Sequence, residues 1–260
     1  MPTPVKTARF NRRQFFRCAF YGAPFAALAD ALWWEPDWLK VHTVKLTPDK
    51  PRARLVHFTD LHHKGDRAYL QKVVQRINKL SPDAVCFTGD LVEDAEHLPE
   101  CLEVLQQIKS PLFGVPGNHD FWAEINFGAV EKAFASTGGA WLMDQQVASR
   151  AGGLMIHGAT CNKPLAFRPA HDSRNILLIH YPAWVKKLGA KYDLVLAGHS
   201  HGGQVRVPFV GALVVPFGVD EFDLGLFQTA AGPLYVGAGI GCFYLNVRFN
   251  CRPEITVFEI

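Results

Sequence analysis

No two cysteines in this 260-residue chain form a Cys-x-x-Cys pair, although six are present. The scatter of Cys18, Cys86, Cys101, Cys161, Cys242 and Cys251 argues against a zinc knuckle or a thioredoxin-like motif. Buried free thiols are the expected state, and Cys242 and Cys251 could be bridged only if they lie across neighbouring strands. Internal repeats, low-complexity tracts and interior linkers are also missing, which predicts one folded domain. Acidic residues are absent before Asp30, whereas Lys6, Arg9, Arg12, Arg13 and Arg17 all fall there. Removing those five cations takes the formal net charge from +3 to −2. The body therefore lacks the basic surplus that a nucleic-acid backbone demands, and no nucleic-acid partner is expected.

The N terminus contains a different signal. "NRRQFFR", Asn11 to Arg17, pairs two arginines with two aromatics ahead of a moderately apolar run from Cys18 to Ala29, the pattern of a twin-arginine export signal. Pro24 and Asp30 interrupt that run, so it falls short of the ~20 apolar residues of a spanning helix. Ala27-Leu28-Ala29 offers a small-residue cleavage site. A retained anchor is the alternative, with Trp33, Trp34 and Trp38 at the lipid interface. Residues 1–38 are thus read as a signal or membrane anchor and 39–260 as the folded body. An exported protein, periplasmic or held peripherally at the outer face of the cytoplasmic membrane, is the expectation.

Within the body, "ARLVHFTD" is an apolar run ending in Asp60, and Leu70, Val73, Val74, Ile77 and Leu80 follow at helical spacing. The pattern repeats in "DAVCFTGD", followed by Leu98, Leu102, Leu105 and Ile108, and then "PLFGVPGNHD". Strands alternating with helices predict a parallel or mixed sheet. The second half is richer in strands: "GGLMIHGAT", "NILLIHYP", "DLVLAGHS", "GPLYVGAG" and "EITVFEI". Only "YPAWVKKLGAKY" reads as helical there, with Pro182 in its first turn. Two sheets packed face to face with helices outside are expected.

Five strand ends carry ligand-type side chains: Asp60 and His62, Asp90, Asn118 and His119, His180, then His199 and His201. In open α/β sheets, ligands bind beyond the carboxyl ends of strands, so these residues are predicted to converge. Carboxylate, amide and imidazole donors without thiolate suit Mn, Fe or Zn at a reactive centre. Gly89, Gly117, Gly198, Gly202 and Gly203 stand beside them, where backbone must turn or approach closely. His42, His57, His97, His157 and His171 are read as structural.

The ordered set Asp-x-His, Gly-Asp, Gly-Asn-His-Asp, a lone strand-end His and Gly-His-x-His-Gly-Gly-Gln resembles the calcineurin-like metallophosphoesterase superfamily over residues 54–260. "GHSHGGQVRVPFVGALVVP" and "VRFNCRPEI" are similar to its bacterial membrane-associated or exported branch. The resemblance implies an α/β fold, a four-layer sandwich of two mixed sheets flanked by helices. It implies one divalent metal at Asp60, His62, Asp90 and His201 and a second at Asp90, Asn118, His180 and His199, with Asp90 bridging and Mn, Fe or Zn as the ions. A water between the ions, ionised near neutral pH, would attack phosphorus in line. His119 would protonate the leaving oxygen or steady the phosphoryl charge. The expected reaction is hydrolysis of a phosphodiester, phosphomonoester or pyrophosphate in a small molecule or an envelope lipid. A silent metal-binding scaffold and a nuclease are the alternatives.

Three departures stand out. Glu93 replaces a frequent Asp, His63 replaces an apolar residue and is expected to face solvent, with substrate as the alternative, and Tyr235 to Gly241 lacks the basic or polar residue often found there.

Overall fold

The computed structural model describes residues 11–47, 51–149, 153–160 and 167–260. The chain opens with α1 (Arg12–Ala29), started by a reciprocal cap: Gln14 N–H donates to the Asn11 side chain, and Asn11 N–H donates to the Gln14 side chain. None of α1 is buried, and its Phe15, Phe16, Phe20 and Phe25 are exposed. Among the described residues, no helix is long and apolar enough to cross a membrane.

The first half forms β1 (Lys40–Lys45), β2 (Arg54–Phe58), α2 (Arg67–Leu80), β3 (Ala84–Phe87), α3 (Leu98–Leu105), β4 (Leu112–Gly114), α4 (Asn118–Trp122), α5 (Phe127–Ser136) and β5 (Ala140–Trp141). The second forms β6 (Gln145–Ala148), β7 (Leu154–Gly158), β8 (Arg174–Leu178), β9 (Leu194–Ala197), a small hairpin β10 (Arg206–Val207) and β11 (Gly211–Ala212), then β12 (Gly225–Thr229), β13 (Gly232–Val236) and β14 (Glu254–Glu259).

Two six-stranded mixed sheets result, ordered β1-β14-β2-β3-β4-β5 and β12-β13-β9-β8-β7-β6. The last strand crosses back into the first sheet, parallel to β1 and antiparallel to β2. Strand alternation explains the layers. Leu55, Ala84, Cys86 and Phe113 of the first sheet meet Ile156, Ile176, Leu194 and Leu196 of the second in one core. The opposite residues, Val56, Phe58, Val85 and Phe87, pack on Leu70, Val74 and Ile77 of α2 and on α3 and α5. Leu177, Val195, Leu234 and Val236 cover the outer face of the second sheet together with Val185 and Phe222.

One local reading is corrected. "YPAWVKKLGAKY" forms only a 3-10 helix, Pro182–Lys187. The space between Pro182 and Gly189 is too short for several α-turns, and the tighter winding suffices to bury Val185. Cys242 and Cys251 are buried and unbridged, the free-thiol state expected of them, and Cys161 lies outside the described residues. Packing also reaches upstream of Leu39. Ala31 and Glu35 are buried, Arg248 N–H donates to the Ala31 carbonyl, and the Glu35 carboxylate accepts from the backbone N–H groups of Asn250 and Cys251.

Candidate metal centre

The ends of β2, β3 and β4 in one sheet and of β8 and β9 in the other deliver their polar residues to one shared edge. Five of those residues hold left-handed backbone: Asp60 (φ 51°), His62 (40°), Asp90 (64°), His199 (69°) and His201 (50°). Each such non-glycine residue costs about 1–3 kcal/mol, and such strain collects at functional sites. Here it turns the chain back on itself so that side chains point inward. Two glycines permit the approach. A Cβ on Gly117 would strike the Asp90 carboxylate, and one on Gly198 would strike Thr59 Oγ1 and the Asp60 carboxylate.

Two donor sets converge. In the first, His62 Nε2 lies 3.1 Å from His201 Nε2, and His201 Nε2 lies 3.6 Å from Asp60 Oδ1. In the second, His180 Nε2 lies 3.0 Å from Asn118 Oδ1, 3.0 Å from His199 Nδ1 and 3.3 Å from Asp90 Oδ2. The same Asp90 oxygen is 3.5 Å from His62 Nε2, so this carboxylate sits between the sets. His119 N–H donates to the other Asp90 oxygen at 2.8 Å.

Hydrogen bonds from behind turn the rings. His62 Nδ1 donates to Glu93 Oε2 at 2.7 Å, His180 Nδ1 to the Thr88 carbonyl at 2.7 Å, and His199 Nε2 to the Phe217 carbonyl at 2.8 Å. Each ring's other nitrogen is thereby presented to the site, as in metal-binding histidines. Lone pairs facing one another across about 3 Å need a positive charge between them. Burial alone would lower His180, but Asp90 beside it outweighs that and raises it to about 9. Burial opposes His62 in the same way, and Glu93, Asp90 and Asp60 raise it. His199 is held down to about 3 by burial and by His180. Burial would also raise Asp90, but His180, His62 and His119 hold it well below the usual carboxylate range. Both donor sets thus favour positive charge. A divalent cation suits each better than a proton, because it engages all the nitrogen and oxygen donors together.

His119 belongs to the same cluster, its Nδ1 3.4 Å from Glu93 Oε2 and its ring against His62, Trp122 and Phe243. A cavity of about 180 Å³ opens on Asp90, Asn118, His119, His199 and His201. The structure therefore gathers Asp60, His62, Asp90, Asn118, His119, His180, His199 and His201 at one place. His57 and His157 stand apart, bonded to Thr88 and Asn175. His63 does not face solvent: it is buried and bonds Glu100 Oε1 at 2.8 Å. A bridge to Val92 turns it beneath α3.

Sequence reasoning passed over Asp120. Its buried carboxylate accepts from the backbone N–H groups of Asp90, Leu91 and Gly117 at 2.8–2.9 Å. The available signal was an acidic residue three positions after a helix cap. Arg248 was passed over as well. Its buried guanidinium reaches the carbonyls of Gly241 and Cys251, behind the segment that lacks a basic residue of its own.

A family model described as calcineurin-like phosphoesterase matches residues 53–203. The chain belongs to this family. The phosphoesterase is 30% identical to the metallophosphoesterase YkuE of Bacillus subtilis, over 97% of this chain and 98% of that one. It is 26% identical to the phosphodiesterase YaeI of Escherichia coli, over 87% and 90%. A dimetal phosphatase structure from Danio rerio is 10% identical, covering 73% of this chain and 88% of that one with a TM-score of 0.48. The calcineurin-like fold and hydrolysis of phosphoester bonds follow from membership, and the clusters Asp60-His62-His201 and Asp90-His180-His199 are able to hold metal ions.

Proposed function

We propose that this phosphoesterase is a dinuclear phosphodiesterase. The observation that carries the reading is the position of the Asp90 carboxylate, 3.5 Å from His62 Nε2 and 3.3 Å from His180 Nε2, between two converging donor sets. Asp60, His62, Asp90 and His201 would hold one cation, and Asp90, Asn118, His180 and His199 the other. Two divalent cations there supply Lewis acidity toward a phosphoryl oxygen and lower the pKa of water toward neutrality.

The protein's own side chains account for the rest. Glu93 orients His62 and faces His119, and burial, opposed by Asp90 and Glu93, sets the His119 pKa below that of a free histidine. Lining the cavity above the donor sets, His119 is placed to protonate the leaving oxygen, a role worth about 10²–10⁴ in rate. Trp122 and Phe243 flank the ring. The name phosphodiesterase on the Escherichia coli relative supports a diester over a monoester or pyrophosphate. Every ligand-type residue and His119 are present, which disfavours a silent scaffold. The proposal includes twin-arginine export and peripheral membrane contact, supported by Arg12-Arg13 and by the exposed aromatics of α1.

The test is an assay of full-length protein, stripped of metal and resupplied with Mn, Fe or Zn, on aryl phosphodiesters and monoesters. Turnover should return with metal, favour the diester, and fall in Asp90→Asn beyond the 10–100-fold typical of losing an outer partner. Equal turnover in Asp90→Asn would refute the dinuclear reading.

A further inference from the structure

A second cavity, about 430 Å³, adjoins the metal centre and shares His201, Pro216 and Phe243 with it. Its volume lies within the ~300–1,000 Å³ of small-molecule sites. Away from His201 its walls are nearly all apolar: Val205, Leu213, Val214, Tyr244, Leu245 and Val247. Leu213, Val214, Tyr244 and Leu245 are exposed although they line a concavity. Val205 and Leu213 in its wall flank the β10–β11 hairpin, whose turn carries the exposed Phe209 and Val210, Phe209 in left-handed backbone (φ 68°). A contiguous apolar surface of this kind marks a binding site rather than ordinary scatter.

We infer that this groove is the acyl-chain subsite of a lipid phosphoester substrate, whose phosphate lies at the metal centre and whose chain runs out past the hairpin tip. The inference rests on the phosphoesterase reading and names its substrate class. Geometry selects the occupant. The polar end of the groove is the metal centre itself, so the ligand is ionic at that end and apolar along its remaining length. Val205 and Leu213 carry the apolar wall on to the β10–β11 hairpin with its exposed Phe209 and Val210, so a chain leaving in that direction stays among apolar side chains. A soluble nucleotide or sugar phosphate would instead leave polar groups against Leu213, Leu245 and Val247 without hydrogen-bond partners, an unfavourable arrangement.

The experiment uses the full-length, Mn-loaded protein with two probe series, kept below micelle-forming concentrations. Methyl, butyl, octyl and dodecyl phosphonates are titrated by calorimetry, and p-nitrophenyl alkyl phosphodiesters of the same lengths are assayed for turnover. Affinity and kcat/KM are expected to rise about tenfold or more from methyl to octyl, since each buried methylene favours binding several-fold. Leu213→Asp and Leu245→Asp, at exposed positions where the fold is not at risk, should bring the octyl-to-methyl ratio toward one. A flat chain-length series, or a preference that survives both substitutions, overturns the subsite. Chain-dependent phosphonate binding without turnover of any ester under Mn, Fe or Zn keeps the groove and overturns the phosphoesterase reading on which it was built.

Discussion

Glu93 Oε2 accepts a 2.7 Å hydrogen bond from His62 Nδ1, and the same oxygen lies 3.4 Å from His119 Nδ1. One carboxylate therefore sets the tautomer of a donor that faces the metal centre and also faces the ring placed to move a proton. The longer Glu side chain, where Asp is frequent in the family, has the reach to serve both.

Glu93→Gln keeps the shape and removes the charge. Metal affinity should fall about 10–100-fold, the usual loss when an outer partner of a ligating histidine is removed. Competition with a chromogenic chelator measures it. Unchanged affinity with reduced kcat would assign Glu93 to His119 alone.

Metal loading should release protons. The raised pKa of His180 (about 9) means that this ring is protonated at neutral pH before a cation enters, and His62 is shifted in the same direction by Glu93, Asp90 and Asp60. A cation must displace the His180 proton, so apparent affinity should increase with pH until about 9 and decline below it, by about tenfold per pH unit for each proton displaced. Calorimetry in buffers of different ionisation enthalpy counts the protons, and a buffer-independent heat would contradict the assignment.

Asp120→Asn should destabilise the fold by about 1–3 kcal/mol, because an amide cannot accept from three backbone N–H groups without turning its own donors toward one of them. Burial and Asp90 push the Asp120 carboxyl up to about 7 against those three donors. Urea unfolding of the metal-free protein checks the loss separately from any effect on metal binding.

His57 should make the fold acid-sensitive. Burial depresses its pKa to about 3 from 6.5, with Glu254 opposing. Between these values the unfolded chain binds the extra proton, so this contribution is complete above pH 6.5 and is lost as pH falls toward 3. The slope reaches about 1.4 kcal/mol per pH unit for one proton. In His57→Gln the same urea titration should be shallower by that one proton, and identical slopes would exclude His57 as the source.

The strand ends were legible because each apolar run stops at a polar residue beside glycine, a local pattern that any single segment displays. Asp60, Asp90, Asn118, His180, His199 and His201 could be gathered from that pattern and from the rule for strand ends. The contacts behind them could not. His63 turns inward because Val92 pairs with it and Glu100 on α3 bonds its ring, and neither partner is near it in the chain. Glu35 looked like part of a leader because its two backbone donors lie at residues 250 and 251. The edge strands β1 and β12 were missed for another reason. Half-exposed strands such as "KVHTVK" mix charge with apolar residues and lack the continuous run that a buried strand shows.

The place of β14 bears on how the molecule is made. The strand that sits between β1 and β2 follows every other described strand in the chain, so a chain emerging from the ribosome N terminus first holds those two neighbours apart until residue 259 is free. Until then both inner edges of the first sheet are unpaired templates for aggregation. A chaperone that shields β1 and β2 until Glu254–Glu259 emerges would therefore raise the yield of active protein more than one acting after β14 has paired.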